Sequence, residues 1–217
     1  MRIFAALTSS QVWLLVCSFL VILFALAFLI FLLIRDVSRK KYYRESYAKT
    51  IYQLAMDNDY FLINDFSFRT DANSEVTIDH ILFGNRYIFC LKDVRYQGVI
   101  QGHENDQIWF FYPNGSRKRK EQIQNPLIDN RKRVEKLSLL IGADKTFFIS
   151  IVLFNNDCYI EDVKTTSRCE YIRNVKEFKR LIAAVEKRPI QNIEPRALEK
   201  AVLDIARLKE QYNKNKK

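Results

Sequence analysis

Asp79 and Lys92 are the side chains whose types and spacing point most directly to chemistry. They lie in two β-rich runs, residues 77–83 and 87–94, joined around Gly84-Asn85-Arg86, a hairpin signature. A two-residue loop at Asn85-Arg86 sets Asp79 directly opposite Lys92 on the neighbouring strand, with Cβ atoms about 5 Å apart. A carboxylate in that position can help hold a hard divalent cation if a second carboxylate lies beside it. An ammonium has three donors and no acceptor, so it neutralises Asp79 and repels the ion. Val94, on the same face as Lys92, brings no acid or base. His80 and Asp93 alternate to the other face, where His80 reads as a structural histidine. Sliding the hairpin by two residues would instead set Cys90 of Cys90-Leu91-Lys92 opposite Asp79, a thiol that is a poor ligand for a hard ion. Neither His80 nor His103 has a second His or Cys at i+3 or i+4, so the spacing does not suggest zinc.

The elements that must position these residues follow from periodicity. Residues 42–56 read as a helix, with Tyr47, Thr50, Ile51 and Leu54 at i, i+3, i+4 and i+7. Residues 60–68 are strand-like, and 70–74 form a polar turn before the hairpin. Further strands are expected at 98–102 and 107–112. Pro113-Asn114-Gly115 then makes a turn into the basic run Arg117, Lys118, Arg119 and Lys120. Asn125-Pro126 opens a helix that Gly142 ends. Residues 147–154 have the continuous apolarity of a buried central strand. A short strand near Tyr171, a helix bearing Phe178, Leu181, Ile182 and Val185, and a last amphipathic helix from Pro195 complete the order. This is an α/β (α+β) arrangement, one mixed sheet flanked by helices.

Residues 12–34 are apolar throughout except for Ser18, and as a helix they cover about 34 Å, slightly more than a bilayer's hydrocarbon core. The run is too long for a signal peptide, and its Ala25-Leu26-Ala27 lies in the middle. Arg35, Arg39, Lys40, Lys41 and Arg44 follow it, against Arg2 and the terminal amine before it. The positive-inside rule therefore predicts a single-pass protein of the cell membrane with residues 35–217 in the cytoplasm. An odd number of cysteines beyond the membrane run, with no CxxC, fits free thiols in a reducing compartment. Sixteen Phe and eleven Tyr in 217 residues argue for a packed interior, and five Gly and four Pro exclude a collagen-like or low-complexity chain. The expected organisation is an anchor at 1–34, a basic linker at 35–41, a domain at 42–186 and a basic amphipathic helix and tail at 187–217.

The ordered set Ile78-Asp79-His80-Ile81, Gly84, Ile88-Phe89, Tyr96-Gln97-Gly98, Gly102, Trp109, Asn125-Pro126-Leu127 and Asn130 resembles the nuclease-related domain (NERD) family. That resemblance covers roughly residues 42–186. It implies a restriction-endonuclease-like fold in which an Asp and a Glu-x-Lys on adjacent strands support Mg²⁺-assisted phosphodiester cleavage. Carried over, Asp79 takes the family Asp, while Lys92 and Val94 stand where the family has Glu and Lys. Asp129 stands at a family Gln, Arg133 at a His, and Glu45 at an early helical Glu. The resemblance thus implies a degenerate site, a pseudoenzyme with no cofactor unless a rearranged site keeps Mg²⁺.

Three functions follow as expectations. The first is a membrane-held, catalytically degenerate domain that binds nucleic acid through Arg117, Lys118, Arg119 and Lys120, or binds a protein partner; the net charge of +10 favours an anionic ligand. The second is an active Mg²⁺-dependent nuclease using Asp79, Asp129 and Glu45. The third is a membrane-tethered interaction module that self-associates through residues 195–212.

Overall fold

No glycine or proline occurs before Gly84, and the N-terminal part of the chain is one uninterrupted helix, α1 (Ser9–Asn58). The computed structural model describes residues 9–71, 74–155, 157–161 and 169–215. The chain divides into two compact units, residues 1–45 and 46–217. In the first unit, Trp13–Arg35 has a mean hydropathy of 3.2 and none of it is buried, so one helix is long and apolar enough to span a membrane. The Ser18 hydroxyl donates to the Leu15 carbonyl at 2.9 Å, so the one polar side chain that precedes Arg35 in this run is satisfied internally. The expected linker at 35–41 is helical, since nothing in Arg35-Asp36-Val37-Ser38-Arg39-Lys40-Lys41 breaks a helix.

The second unit begins with the end of α1, where Tyr47, Ile51, Leu54 and Ala55 are buried. Asn58 donates to the Leu54 carbonyl and Asp59 takes a left-handed φ of 56°, which turns the chain into the first strand. Strands β1 (Phe61–Asp71), β2 (Ser74–Phe83) and β3 (Ile88–Val94) form an antiparallel meander. Strands β7 (Phe148–Phe154) and β9 (Cys169–Ile172) extend it in parallel, giving the order β1-β2-β3-β7-β9. Every residue of β7 is buried, as its continuous apolarity required.

Where one mixed sheet was expected, the structure has two. Strands β4 (Gly98–Gln101), β5 (Ile108–Pro113), β6 (Glu121–Gln124) and β8 (Cys158–Glu161) form a second sheet in the order β6-β5-β4-β8. Strands β6 and β8 have only four residues each, and in β6 Glu-Gln-Ile-Gln carries a single apolar residue.

Helices α2 (Pro126–Ile141), α3 (Val175–Glu186) and α4 (Pro195–Asn215) complete the unit. One core joins Phe66, Ile78, Phe83 and Cys90 of the first sheet to Val134 and Leu137 of α2 and Ile205 of α4. Leu198, Val202 and Leu208 pack against the same core, so the apolar stripe of α4 lies on its own domain. A second core joins Ile100, Trp109 and Ile160 of the second sheet to Leu127 of α2 and to Val152 and Phe154 of β7.

The β2–β3 hairpin, which sets the register of the candidate site, is held from outside by α3. The buried Glu186 carboxylate accepts the Arg86 backbone N–H at 3.1 Å, and the Arg86 guanidinium donates to the carbonyls of Ile190 and Glu186. A Cβ on Gly84 would stand 2.2 Å from Glu186 Oε1, so the carboxylate fits only over a glycine. Burial pushes the Glu186 carboxyl above its ordinary value near 4.5, opposed by hydrogen bonds from the backbone of Arg86, Tyr87 and Asn85 and by the Arg86 charge. The folded state therefore holds this proton more tightly than the unfolded chain, and its contribution to stability is lost as pH rises through the raised value. In urea titrations of the full chain from pH 4 to 7, Glu186→Gln should remove a downward slope that the wild type shows above about pH 4.5. Parallel curves for the two proteins would contradict this.

Candidate functional site

The hairpin register pairs His80 with Leu91, Ile81 with Cys90 and Phe83 with Ile88. Gly84 N–H donates to the Tyr87 carbonyl at 2.9 Å, leaving Asn85-Arg86 as a two-residue loop. The slipped register that would present Cys90-Leu91-Lys92 is therefore absent. Lys92 Nζ lies 3.1 Å from Asp79 Oδ2, with both side chains mostly buried. The same Oδ2 accepts the Asp93 backbone N–H at 2.8 Å. A cation and a backbone donor thus share one oxygen of Asp79.

On the other face of these strands a second polar cluster forms. His80 is buried, its Nδ1 lies 2.8 Å from Asn64 Oδ1, and its Nε2 lies 3.5 Å from Asp93 Oδ2. Strand alternation keeps this cluster away from Asp79, as expected for a structural histidine.

Helix α2 approaches the site from its capped N-terminus. Asn125 accepts from Leu127 N–H at 2.9 Å and Ile128 N–H at 3.4 Å, and Pro126 occupies the first turn. The Asn125 amide also donates to the carbonyls of Glu104 and Asp106, both at 2.8 Å, tying the β4–β5 loop to the helix start. One turn on, the buried Asn130 amide reaches Ser150 Oγ at 2.7 Å and the Cys90 carbonyl at 3.1 Å, linking α2 to β3 and β7. Asp129 is ion-paired to Arg133 at 2.9 Å, and Arg133 also donates to the Thr77 carbonyl at 3.0 Å. Burial raises the Tyr96 hydroxyl above its ordinary 10, and Cys158 and then Asp129 add to that. The Glu45 side chain lies outside the described residues.

The donor set does not fit a hard divalent cation. Among the described residues no three Asp, Glu, His or Cys side chains converge as ligands. An ammonium occupies the Asp79 carboxylate, and Arg133 takes that of Asp129. Cys90 and Cys158 offer no nucleophile either: burial pushes Cys158 up to about 12 and raises Cys90 further, so both stay protonated.

The basic run Arg117, Lys118, Arg119 and Lys120 lies in the β5–β6 loop of the second sheet, whereas Asp79 is on the first. Arg117 pairs with Glu161 at 3.2 Å, Arg119 with Glu121 at 2.8 Å, and Lys120 Nζ stands 3.6 Å over the Phe110 ring. Sequence reasoning missed the aromatic surface beside them, because β8, which carries Tyr159, was not recognised as a strand. The alternation of Tyr159 and Glu161 with Cys158 and Ile160 was the available signal.

The family model described as "Nuclease-related domain" matches residues 40–155. An uncharacterised protein from Bacillus anthracis is 24% identical over 123 residues, covering 57% of this chain and 56% of that relative, so the match spans about half of each. No solved structure matches the chain.

Proposed function

Because the chain belongs to the nuclease-related domain family, we propose that it is a membrane-anchored member that has lost cleavage and acts by binding nucleic acid on the cytoplasmic side. The observation that carries this reading is the 3.1 Å ion pair between Lys92 and Asp79. A family site built for phosphodiester cleavage would need acidic oxygens converging on a metal. Here the second acid is replaced by a cation that satisfies the first, and Val94 supplies nothing that could activate water. Retention of a full framework around a silenced site favours binding over catalysis. The basic loop of Arg117, Lys118, Arg119 and Lys120 and the net charge of +10 favour a polyanion. The charge asymmetry flanking residues 12–34 supports the cytoplasmic side.

Nuclease assays on the full chain in detergent micelles test the reading. With single- and double-stranded DNA and RNA and Mg²⁺ or Mn²⁺, the wild type should leave every substrate intact. The double variant Lys92→Glu, Val94→Lys should gain metal-dependent cleavage. Cleavage by the wild type that vanishes in Asp79→Asn would overturn the reading and establish a rearranged active site.

A further inference from the structure

We propose that the outer face of the second sheet is a stacking platform for single-stranded nucleic acid. This rests on the nucleic-acid reading above and assigns it a surface and a strand form. The inner face of this sheet, with Ile100, Trp109, Phe111, Ile123, Cys158 and Ile160, packs into the second core. Alternation therefore sends the intervening residues outward.

The ladders arrange those residues in rows across the sheet. Val99 pairs with Tyr112 on one side and Tyr159 on the other. Two residues along, Gln101 pairs with Phe110 and with Glu161, and Phe110 also pairs with Gln122. Two tyrosines thus flank Val99 at about 10 Å from each other, and Phe110 lies one repeat, about 7 Å, along the strand from Tyr112. Tyr159 is 58% exposed and Ile108, next along β5, is 48% exposed. Aromatic faces interleaved with glutamine amides can stack bases and hydrogen-bond their edges without selecting a sequence.

Charge complementarity names the occupant. The β5–β6 loop and its exit bring Arg117, Lys118, Arg119 and Lys120 to this sheet, against the carboxylates of Glu161 and Glu121. Each paired guanidinium keeps further N–H donors for a phosphate. Lys120 already lies on the Phe110 ring, the arrangement in which a cation meets a phosphate while the aromatic meets a base. Width keeps this sheet out of a duplex groove: four strands span about 15–20 Å, more than the roughly 12 Å major groove that admits a two-stranded ribbon. Duplex bases, already stacked on each other, also offer no free face.

The test is fluorescence anisotropy with the full chain in detergent micelles and labelled dT15, rU15 and a 15-base-pair duplex. The wild type should bind the single strands more tightly than the duplex. Tyr112→Ser with Tyr159→Ser should weaken single-strand binding by at least about tenfold, with the salt dependence unchanged. Tyr112→Phe with Tyr159→Phe, which keeps the rings, should restore it, and this separates stacking from a folding defect. Replacing Arg117, Lys118, Arg119 and Lys120 by Gln should lower the slope of log affinity against log salt by about 2–3. Single-strand binding unaffected by the serine substitutions would overturn the platform while leaving the nucleic-acid reading intact. Preference for the duplex would do the same. Binding to none of the three probes would overturn both.

Discussion

Gly98→Ala is expected to destabilise the second unit by about 3 kcal/mol or more, although it adds a single methyl group. Gly98 opens β4 at φ 143°, a backbone conformation that L side chains rarely adopt. A Cβ there would stand 2.1 Å from the Tyr112 carbonyl oxygen and 2.9 Å from the Asn114 nitrogen. Both are backbone atoms of the β5 turn, so no side chain can swing aside. Gly142 is the control. It caps α2 at φ 63° with nothing within 4 Å of its Cβ position, and Gly142→Ala should cost about 1 kcal/mol, the left-handed penalty alone. Urea midpoints of the two variants against the wild type separate the conformational cost from the steric one. Equal losses would mean that the β5 turn relaxes away from Gly98.

The same positions show why part of this molecule could be read from its residues. Gly98, Gly102, Trp109, Asn125, Pro126 and Asn130 belong to the ordered set that resembled the family, and each has a structural duty that other residue types perform poorly. Asn125 at once caps a helix and stitches a loop, and Asn130 hydrogen-bonds across two strands. These demands are local and specific to residue type, so they appear in the sequence. The Asp79–Lys92 opposition was readable for the same reason, since a two-residue hairpin loop determines register over its whole length.

What escaped depends on long-range pairing. Strand β8 joins β4 in parallel across nearly 60 residues, and β6 has one apolar residue to mark it. Without them the second sheet, and so the outward row of Tyr112, Val99 and Tyr159, could not be assembled from periodicity. The continuity of α1 was missed for the opposite reason. A charged stretch was read as a linker because of its composition, although it contains no helix-breaking residue.

Trp109→Ala is expected to cost about 3–5 kcal/mol, the other large effect in this chain. Trp109 is fully buried, and its indole lies between the second sheet and the α2–β7 layer, in contact with the cluster of Leu127, Val152 and Phe154. Its Nε1 donates to the His103 carbonyl at 2.7 Å. A Cβ on Gly102 would fall 2.3 Å from the Trp109 ring, so the glycine exists to seat the indole. Alanine would lose the apolar burial and leave a cavity that the rigid backbone on both sides cannot close. Trp109→Phe keeps most of the volume and should cost about 1–2 kcal/mol, because the His103 carbonyl loses its indole donor but keeps a 3.3 Å contact from Asn125 Nδ2. Hydrogen exchange on the alanine variant should show β4, β5 and β6 losing protection while β1, β2 and β3 retain theirs. The functional consequence follows from position. Trp109 holds in place the sheet whose outer face carries Tyr112 and Tyr159, so its truncation should abolish single-strand binding without touching the Asp79–Lys92 pair. Loss of protection spread evenly over both sheets would show instead that they unfold as one unit and that Trp109 is a general core residue.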